Sequence, residues 1–396
     1  MHILLIIEGT YPWYRGGVSE WVYQYLGHLK EVNFTLLQIA TDEFQGLDPQ
    51  NALYPLTENV SEFIRISPPD FSGEWEEYCE NWYSDISNDL RISKEKYDII
   101  HVTNTGFAGW LGGKLSTEID IPLLLTEHAI YSKEVEMGAV ALECGYQIPE
   151  DLSDKTSVVE AFRQMASFTY DHAQNIITVS ESNIPLQRLL GADGIKYIPN
   201  GIPGSWLRSV KKRNTDPVIG WVGRCAEMKN PLAFFQFVEE FRDREIDPVF
   251  RMLLSDANEA ELAEKVRSES KSYPEVECIW NQPSEVFFKE FDFLFITSNN
   301  ESQPLVMLEA LANKALPVGY KVGDLTEKYG LVFNTETSIN TITDRVTKLW
   351  SNNDRFEKFV DQRFQLVKKS HTWESVFNEY KLLLNDLTVQ SNHSEV

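Results

Sequence analysis

Short, largely apolar runs recur along this chain, each closed by a glycine-bearing or polar loop and followed by residues of helical periodicity. Ile3 to Ile7, Phe34 to Ile39, Tyr97 to Thr103, Pro122 to Leu125, Asn175 to Val179 and Ile195 to Ile198 make a first series. Val218 to Val222, Phe250 to Leu254, Val276 to Trp280, Phe291 to Ile296 and Leu316 to Val318 make a second. Continuous apolar runs of this length suit strands buried on both faces, and such strands belong to parallel sheets covered by helices. The alternation therefore predicts α/β architecture, two successive doubly wound units. Length agrees, because single cores stop growing at roughly 250 to 300 residues and this chain has 396, 42% of them hydrophobic. Pro199-Asn200-Gly201, the charged run Lys211 to Arg213 and Asp216-Pro217 read as a linker between domains at 1–205 and 216–371.

Charge and cysteine usage exclude several classes. The formal net charge of −24 argues against nucleic acid and anionic lipid as partners. In so acidic a chain, cations beside a glycine-bearing loop become informative. Four cysteines, Cys79, Cys144, Cys225 and Cys278, show no C-x-x-C spacing, so neither a disulfide framework nor a zinc site is signalled. No apolar run approaches 18 residues, and MHILLIIEGTYPWYRGG lacks the basic region and cleavage site of a signal peptide. The expectation is a cytoplasmic protein.

Ligands of open α/β sheets collect at the carboxyl ends of the strands, and four loops there carry chemistry. The first strand runs into Gly16-Gly17 and then a helix with Val18, Val22, Tyr25, Leu26 and Leu29 on one face. A glycine pair at that turn admits a phosphate to the helix amino terminus, or serves the turn alone; G-x-G-x-x-G is absent. Pro122 to Leu125 leads into Glu127 and His128, which places His128 on the ligand side. After Val218 to Val222, Arg224 and Lys229 stand five apart in one loop, as a diphosphate would want. After Phe291 to Ile296 come Glu301 in the loop and Glu309 in the following helix, which begins near Pro304. An insertion from Phe44 to Lys96 carries Trp75, Tyr78, Trp82 and Tyr83 at the spacing of a packed helical face.

Taken together, the glycine pair, G-R-x4-K after the first strand of the second unit, and E-x7-E resemble the family 4 retaining glycosyltransferases of the GT-B fold. More narrowly, EGTYPWYRGGVSEWV, LLLTEHAIYSKE, PNGI, GWVGR and ESQPLVMLEALA resemble the Pel exopolysaccharide glycosyltransferases. Two places depart from that pattern: Cys225-Ala226-Glu227-Met228 between the Arg and the Lys, and Ser302 where a glycine is usual. The resemblance implies two Rossmann-like domains facing across a cleft, with the helix of residues 373–387 crossing back to complete the first. It also implies a hinge at Pro199 to Pro217 and front-face transfer from a UDP-sugar. Arg224 and Lys229 would then neutralise the diphosphate, Glu309 would accept from ribose hydroxyls, and Glu301 would bind the donor sugar. Gln303, Pro304, Leu305, Val306, Gly16 and Gly17 would complete donor binding, with Glu301, His128, Arg224 and Lys229 as the catalytic set. Tyr11, Arg15, Glu127, His128 and Asn200 would face the acceptor.

No cofactor and no metal are implied, and the sequence holds no D-x-D. The partners implied are a nucleotide-sugar donor, a glycan acceptor and inner-membrane synthase or transport subunits that recruit the protein peripherally. A catalytically silent nucleotide-sugar-binding subunit of a membrane polysaccharide synthase stays open as the alternative.

Overall fold

The two series of apolar runs form two parallel sheets. In the computed structural model residues 1–9, 11–13, 16–41, 48, 52–69, 74–90, 96–139, 144–242, 244–256 and 259–394 are described. Their contacts divide the chain into two units, Met1–Pro199 with Val376–Val396, and Asn200–Ser375.

The first unit runs β1 (His2–Glu8), α1 (Gly17–His28), β2 (Asn33–Ile39), β3 (Val60–Ile66), α2 (Trp75–Leu90), β4 (Ile99–Val102) and α3 (Phe107–Ile119). It continues with β5 (Leu123–Glu127), α4 (Tyr131–Glu136), α5 (Leu152–His172), β6 (Asn175–Thr178), α6 (Ile184–Leu189) and β7 (Lys196–Tyr197). The sheet order is β3-β2-β1-β4-β5-β6-β7, parallel throughout, with the reversal of direction between β1 and β4. Leu4, Ile6, Leu37 and Ile39 face a core closed by α2, α3 and α5. The aromatic face expected in the insertion lies on α2: Tyr78 and Trp82 are buried in that core, with Trp75 and Tyr83 packed against it.

The second unit contains β8 (Val218–Arg224), α7 (Leu232–Phe241), β9 (Val249–Ser255), α8 (Ala260–Glu269), β10 (Val276–Trp280), α9 (Glu285–Phe288) and β11 (Phe293–Ile296). Then come α10 (Leu305–Ala312), β12 (Leu316–Tyr320), β13 (Leu331–Phe333), α11 (Ile339–Trp350), α12 (Asn353–Ser370) and α13 (Trp373–Ser394). Its order is β10-β9-β8-β11-β12-β13, again parallel, with the reversal between β8 and β11. From Val376 onward α13 belongs to the first unit, where Phe377, Tyr380, Leu384 and Leu387 are buried.

Three features differ from the sequence reading. Two edge strands, β3 and β13, had no assignment, because edges are half-covered: VSEFIRI is broken by Ser61, Glu62 and Arg65, and LVF is only three residues long. The helix ending at Ser394 outruns the expected 387, since its last turns are polar. The stretch read as a linker is fastened to the second unit. Ile202 pairs with Thr372, Arg208 N–H donates to the Ala312 carbonyl at 2.9 Å, and Lys211 meets buried Asp292 at 3.3 Å. Residues 44–47, 49–51, 70–73 and 91–95 of the insertion lie outside the described residues.

Candidate active site

Sheet order decides which loops meet. In the second unit β8 and β11 are neighbours at the reversal, so the loops at their carboxyl ends lie side by side, the position where open sheets bind ligands. β8 ends at Arg224, and a single 3₁₀ turn, Glu227–Lys229, follows. Thr297 welds the two loops: its Oγ1 donates to the carbonyls of Lys229 and Asn230 at 2.9 and 2.8 Å and accepts from the Trp221 indole at 2.8 Å. Asn299 N–H closes the weld on the Met228 carbonyl at 2.8 Å.

This join brings Lys229 Nζ to Glu301 Oε1 at 2.5 Å, while Ser298 Oγ donates to the same oxygen at 2.7 Å. Glu301 is buried, so the ammonium supplies the counter-charge that a carboxylate in such a place needs. Arg224 is exposed and makes no side-chain hydrogen bond or ion pair among the described residues. One cation of the expected pair is thus held against a carboxylate, and the other is available.

Behind these groups stands α10. Pro304 is its N-cap, no side chain caps its amino terminus, and Leu305 and Val306 are its first residues. Gln303 is buried: its Oε1 accepts the Asn200 N–H at 2.7 Å and its Nε2 donates to Asp324 at 3.2 Å. Gly323 completes the support. It sits at φ +52°, and a Cβ there would come within 2.2 Å of the Ser302 carbonyl oxygen. Glu309 lies half-buried on α10, and Asn200 belongs with this unit rather than with the groups of the first, its Oδ1 buried without a hydrogen-bond partner among the described residues.

In the first unit, Gly16 is the N-cap of α1 and Gly17 its first residue. Gly16 is extended (φ −172°), and an added Cβ would find nothing nearer than Ser19 Oγ at 4.0 Å. The turn itself would therefore accept a side chain, and a glycine there leaves room for something outside the fold. Tyr11 is buried, with its hydroxyl unpartnered among the described residues, and burial raises its pKa well above the ordinary tyrosine value. Gln38 fixes this loop by donating to the carbonyls of Gly9 and Tyr11. Arg15 lies outside the described residues.

β5 delivers Glu127 and His128 to opposite faces. Glu127 is fully enclosed and accepts from Thr105, Tyr170 and Gln187, each at 2.6 Å. Burial pushes its pKa up while these three donors favour the ionised form. The structure thus places Glu127 inside the domain, away from the exposed side expected for an acceptor group. His128 is 8% exposed and lies edge-on to Trp21, centroids 4.9 Å apart, its Nε2 without a hydrogen-bond partner among the described residues. Burial lowers its pKa to about 3, so the ring is neutral at pH 7.

Sequence reasoning missed Ser298, Thr297, Gly323 and the buried His101. Only strand order reveals the first three; His101, midway along an apolar strand, gave a signal that passed as core.

Comparison with known proteins places both units. The family described as Glycosyl transferases group 1 matches residues 205–365. The second unit carries this family's domain, and the chain is a glycosyltransferase. Ahead of that match the glycosyltransferase carries a domain of unknown function, DUF3492, matched over residues 1–80 and 81–194. No curated protein matches its sequence. Solved structures share its fold, GT-B, over nearly its whole length. Alr3699/HepE of Anabaena, solved with UDP and glucose, is 13% identical with TM-score 0.69, covering 98% of this chain and 100% of that one. Sucrose-phosphate synthase of Thermosynechococcus elongatus is 15% identical with TM-score 0.70 over the same shares. The lipopolysaccharide outer core galactosyltransferase WaaB is 12% identical with TM-score 0.61, covering 96% and 98%. Among the described residues of the glycosyltransferase no helix is long and apolar enough to cross a membrane.

Proposed function

We propose that this glycosyltransferase moves a hexose or N-acetylhexosamine from a UDP-sugar to a growing exopolysaccharide, with retention of configuration and without a metal. The observation that carries the reading is the grouping of Arg224, Lys229 and Glu301 ahead of the uncapped amino terminus of α10. A diphosphate there meets two cations and the N–H groups of Leu305 and Val306. As the bond from the sugar C1 to phosphate breaks, charge grows on the departing oxygen, where those groups stabilise it most. The acceptor hydroxyl attacks from the same face and passes its proton to that oxygen, so UDP leaves protonated and no enzyme nucleophile is needed.

Glu309 takes the ribose hydroxyls, and Glu301, steadied by Ser298 and Lys229, takes hydroxyls of the sugar. Gln303 and Pro304 shape the loop beneath it. On the sequence resemblance, Gly16, Gly17 and His128 serve the donor sugar, and Tyr11, Arg15 and Asn200 the acceptor side; His128 Nε2 has no hydrogen-bond partner among the described residues. Glu127 acts only by fixing the strand end that bears His128. UDP is favoured because a GT-B protein of similar structure, HepE, was solved with UDP and UDP-glucose. The polysaccharide acceptor, peripheral recruitment by inner-membrane synthase or transport subunits, and a cytoplasmic site of action rest on the sequence resemblance to PelF.

Calorimetric titration with UDP, GDP and ADP, with and without EDTA, followed by UDP-glucose, UDP-N-acetylglucosamine and UDP-N-acetylgalactosamine, tests this. Binding of UDP alone, indifferent to EDTA, is the expected result. If none of the three nucleotides binds, the reading fails; if a UDP-sugar binds but is not turned over with acceptor, the silent nucleotide-sugar-binding subunit replaces it.

A further inference from the structure

The carboxyl-terminal helix is wired to the strand that carries His128. Thr126, two residues before His128 on β5, has its hydroxyl 3.2 Å from Tyr380 OH of α13 and 2.8 Å from His101 Nε2. His101 Nδ1 in turn lies 2.9 Å from Tyr25 OH of α1. All four groups are fully buried. A neutral imidazole has one donor and one acceptor nitrogen, so the chain Tyr25, His101, Thr126, Tyr380 is satisfied only when every hydroxyl points the same way along it. Moving one member disturbs all of them.

Trp21 fills the angle of this chain. Its ring stacks on Tyr25 (centroids 4.6 Å, 17°) and meets Tyr380 edge-on at 5.7 Å and Phe377 at 6.0 Å. It also lies edge-on to His101 at 5.7 Å and to His128 at 4.9 Å. On the other face of β5, Glu127 is locked by its three donors. The strand end is thus clamped from both sides, and the His128 ring, whose Nε2 has no partner in the described fold, takes its place from Trp21.

We propose that Trp21 is a positioning residue for His128, and that Tyr380 and Phe377 of the carboxyl-terminal helix set Trp21 through this buried chain. The inference rests on the reading of His128 as a group that acts on the transferred sugar. It adds that the helix governs turnover through an imidazole it does not touch. A packing role alone would lower stability and nothing else. A positioning role lowers kcat and leaves UDP affinity intact, because the side chains proposed to hold the diphosphate and ribose, Arg224, Lys229 and Glu309, belong to the other unit.

The test is a set of cycles with Trp21→Phe, Tyr380→Phe and His128→Ala, each alone and combined with His128→Ala. The donor is the UDP-sugar that binds in calorimetry, and released UDP is the readout. Trp21→Phe is expected to lower kcat about tenfold, short of the roughly hundredfold that a 1 Å misplacement costs. UDP affinity should stay unchanged, and neither Trp21→Phe nor Tyr380→Phe should have a further effect once His128 is Ala. Tyr380→Phe keeps the ring and removes only the hydroxyl, so it serves if Trp21→Phe folds poorly. Equal losses with and without His128 would overturn the positioning role while leaving His128 its own. If His128→Ala leaves kcat unchanged, the reading of His128 falls and this inference with it.

Discussion

Lys229 and Arg224 share a loop but not an environment, and the difference separates binding from stability. Lys229 neutralises a buried carboxylate, so Lys229→Ala leaves Glu301 with the Ser298 hydroxyl as donor and without that counter-charge. We expect that change to cost about 1 to 3 kcal/mol of folding stability and to weaken UDP binding by about 1.5 to 3 kcal/mol, the scale of a charge-assisted contact. Arg224 has no such partner, so Arg224→Ala should weaken UDP to a similar degree while stability stays within about 0.5 kcal/mol. Urea unfolding and calorimetry on both variants decide the matter, and equal stability losses would sink the distinction. The types and spacing of these residues were legible in the sequence. That Lys229 and Glu301 pair was not, because 72 residues separate them and only the adjacency of β8 and β11 brings them together.

Among the elements, what the sequence announced clearly was the buried strand, since a run such as Ile3 to Ile7 has one use in a chain of this kind. Edge strands were illegible for the same reason reversed: β3, exposed at Ser61 and Glu62, needs no continuous apolar run. The start of α10 was legible from Pro304, while the part Gly323 plays in holding the loop before it was not. Gly323 stands at positive φ with the Ser302 and Glu301 carbonyls pressed against its hydrogen. Gly323→Ala must therefore shift the Glu301 loop, with an expected cost of about 1 to 3 kcal/mol and a loss of donor-sugar affinity in calorimetry. Gly16→Ala is the counterpart. Its backbone is ordinary and a Cβ has room, so melting should not change, whereas turnover should fall if the donor approaches there. A melting point lowered by Gly16→Ala would return that glycine to the service of the turn.

At the scale of the molecule, two doubly wound units were legible from the repeated strand-to-helix alternation, but the orders β3-β2-β1-β4-β5-β6-β7 and β10-β9-β8-β11-β12-β13 were not, because pairing is a long-range choice that a local pattern does not encode. One consequence of that pairing is a pH dependence seated in the first unit. β4 beside β5 buries His101 and His128 together, and burial lowers both pKa values to about 3, with charge on His128 further opposing protonation of His101. An unfolded chain takes up protons near pH 6.5 that the folded rings refuse, so their contribution is fully present above about 6.5 and falls as the pH drops toward 3. Each imidazole then costs about 1.4 kcal/mol per pH unit within that window. Glu127 works in the opposite sense, because its raised pKa lets the folded state take a proton more readily as the pH falls. The expected net loss between pH 6.5 and 5.0 is about 2 to 4 kcal/mol. With a net charge of −24, acidification also relieves self-repulsion, so the comparison must be made against His101→Gln in the same buffers. That variant removes one of the two imidazoles and should show about half the slope in urea unfolding followed by tryptophan fluorescence. A slope identical to that of the unsubstituted protein would mean that His101 takes up its proton as readily in the folded chain as in the unfolded one, and the closed run of hydroxyls from Tyr25 to Tyr380 around a neutral ring would fall.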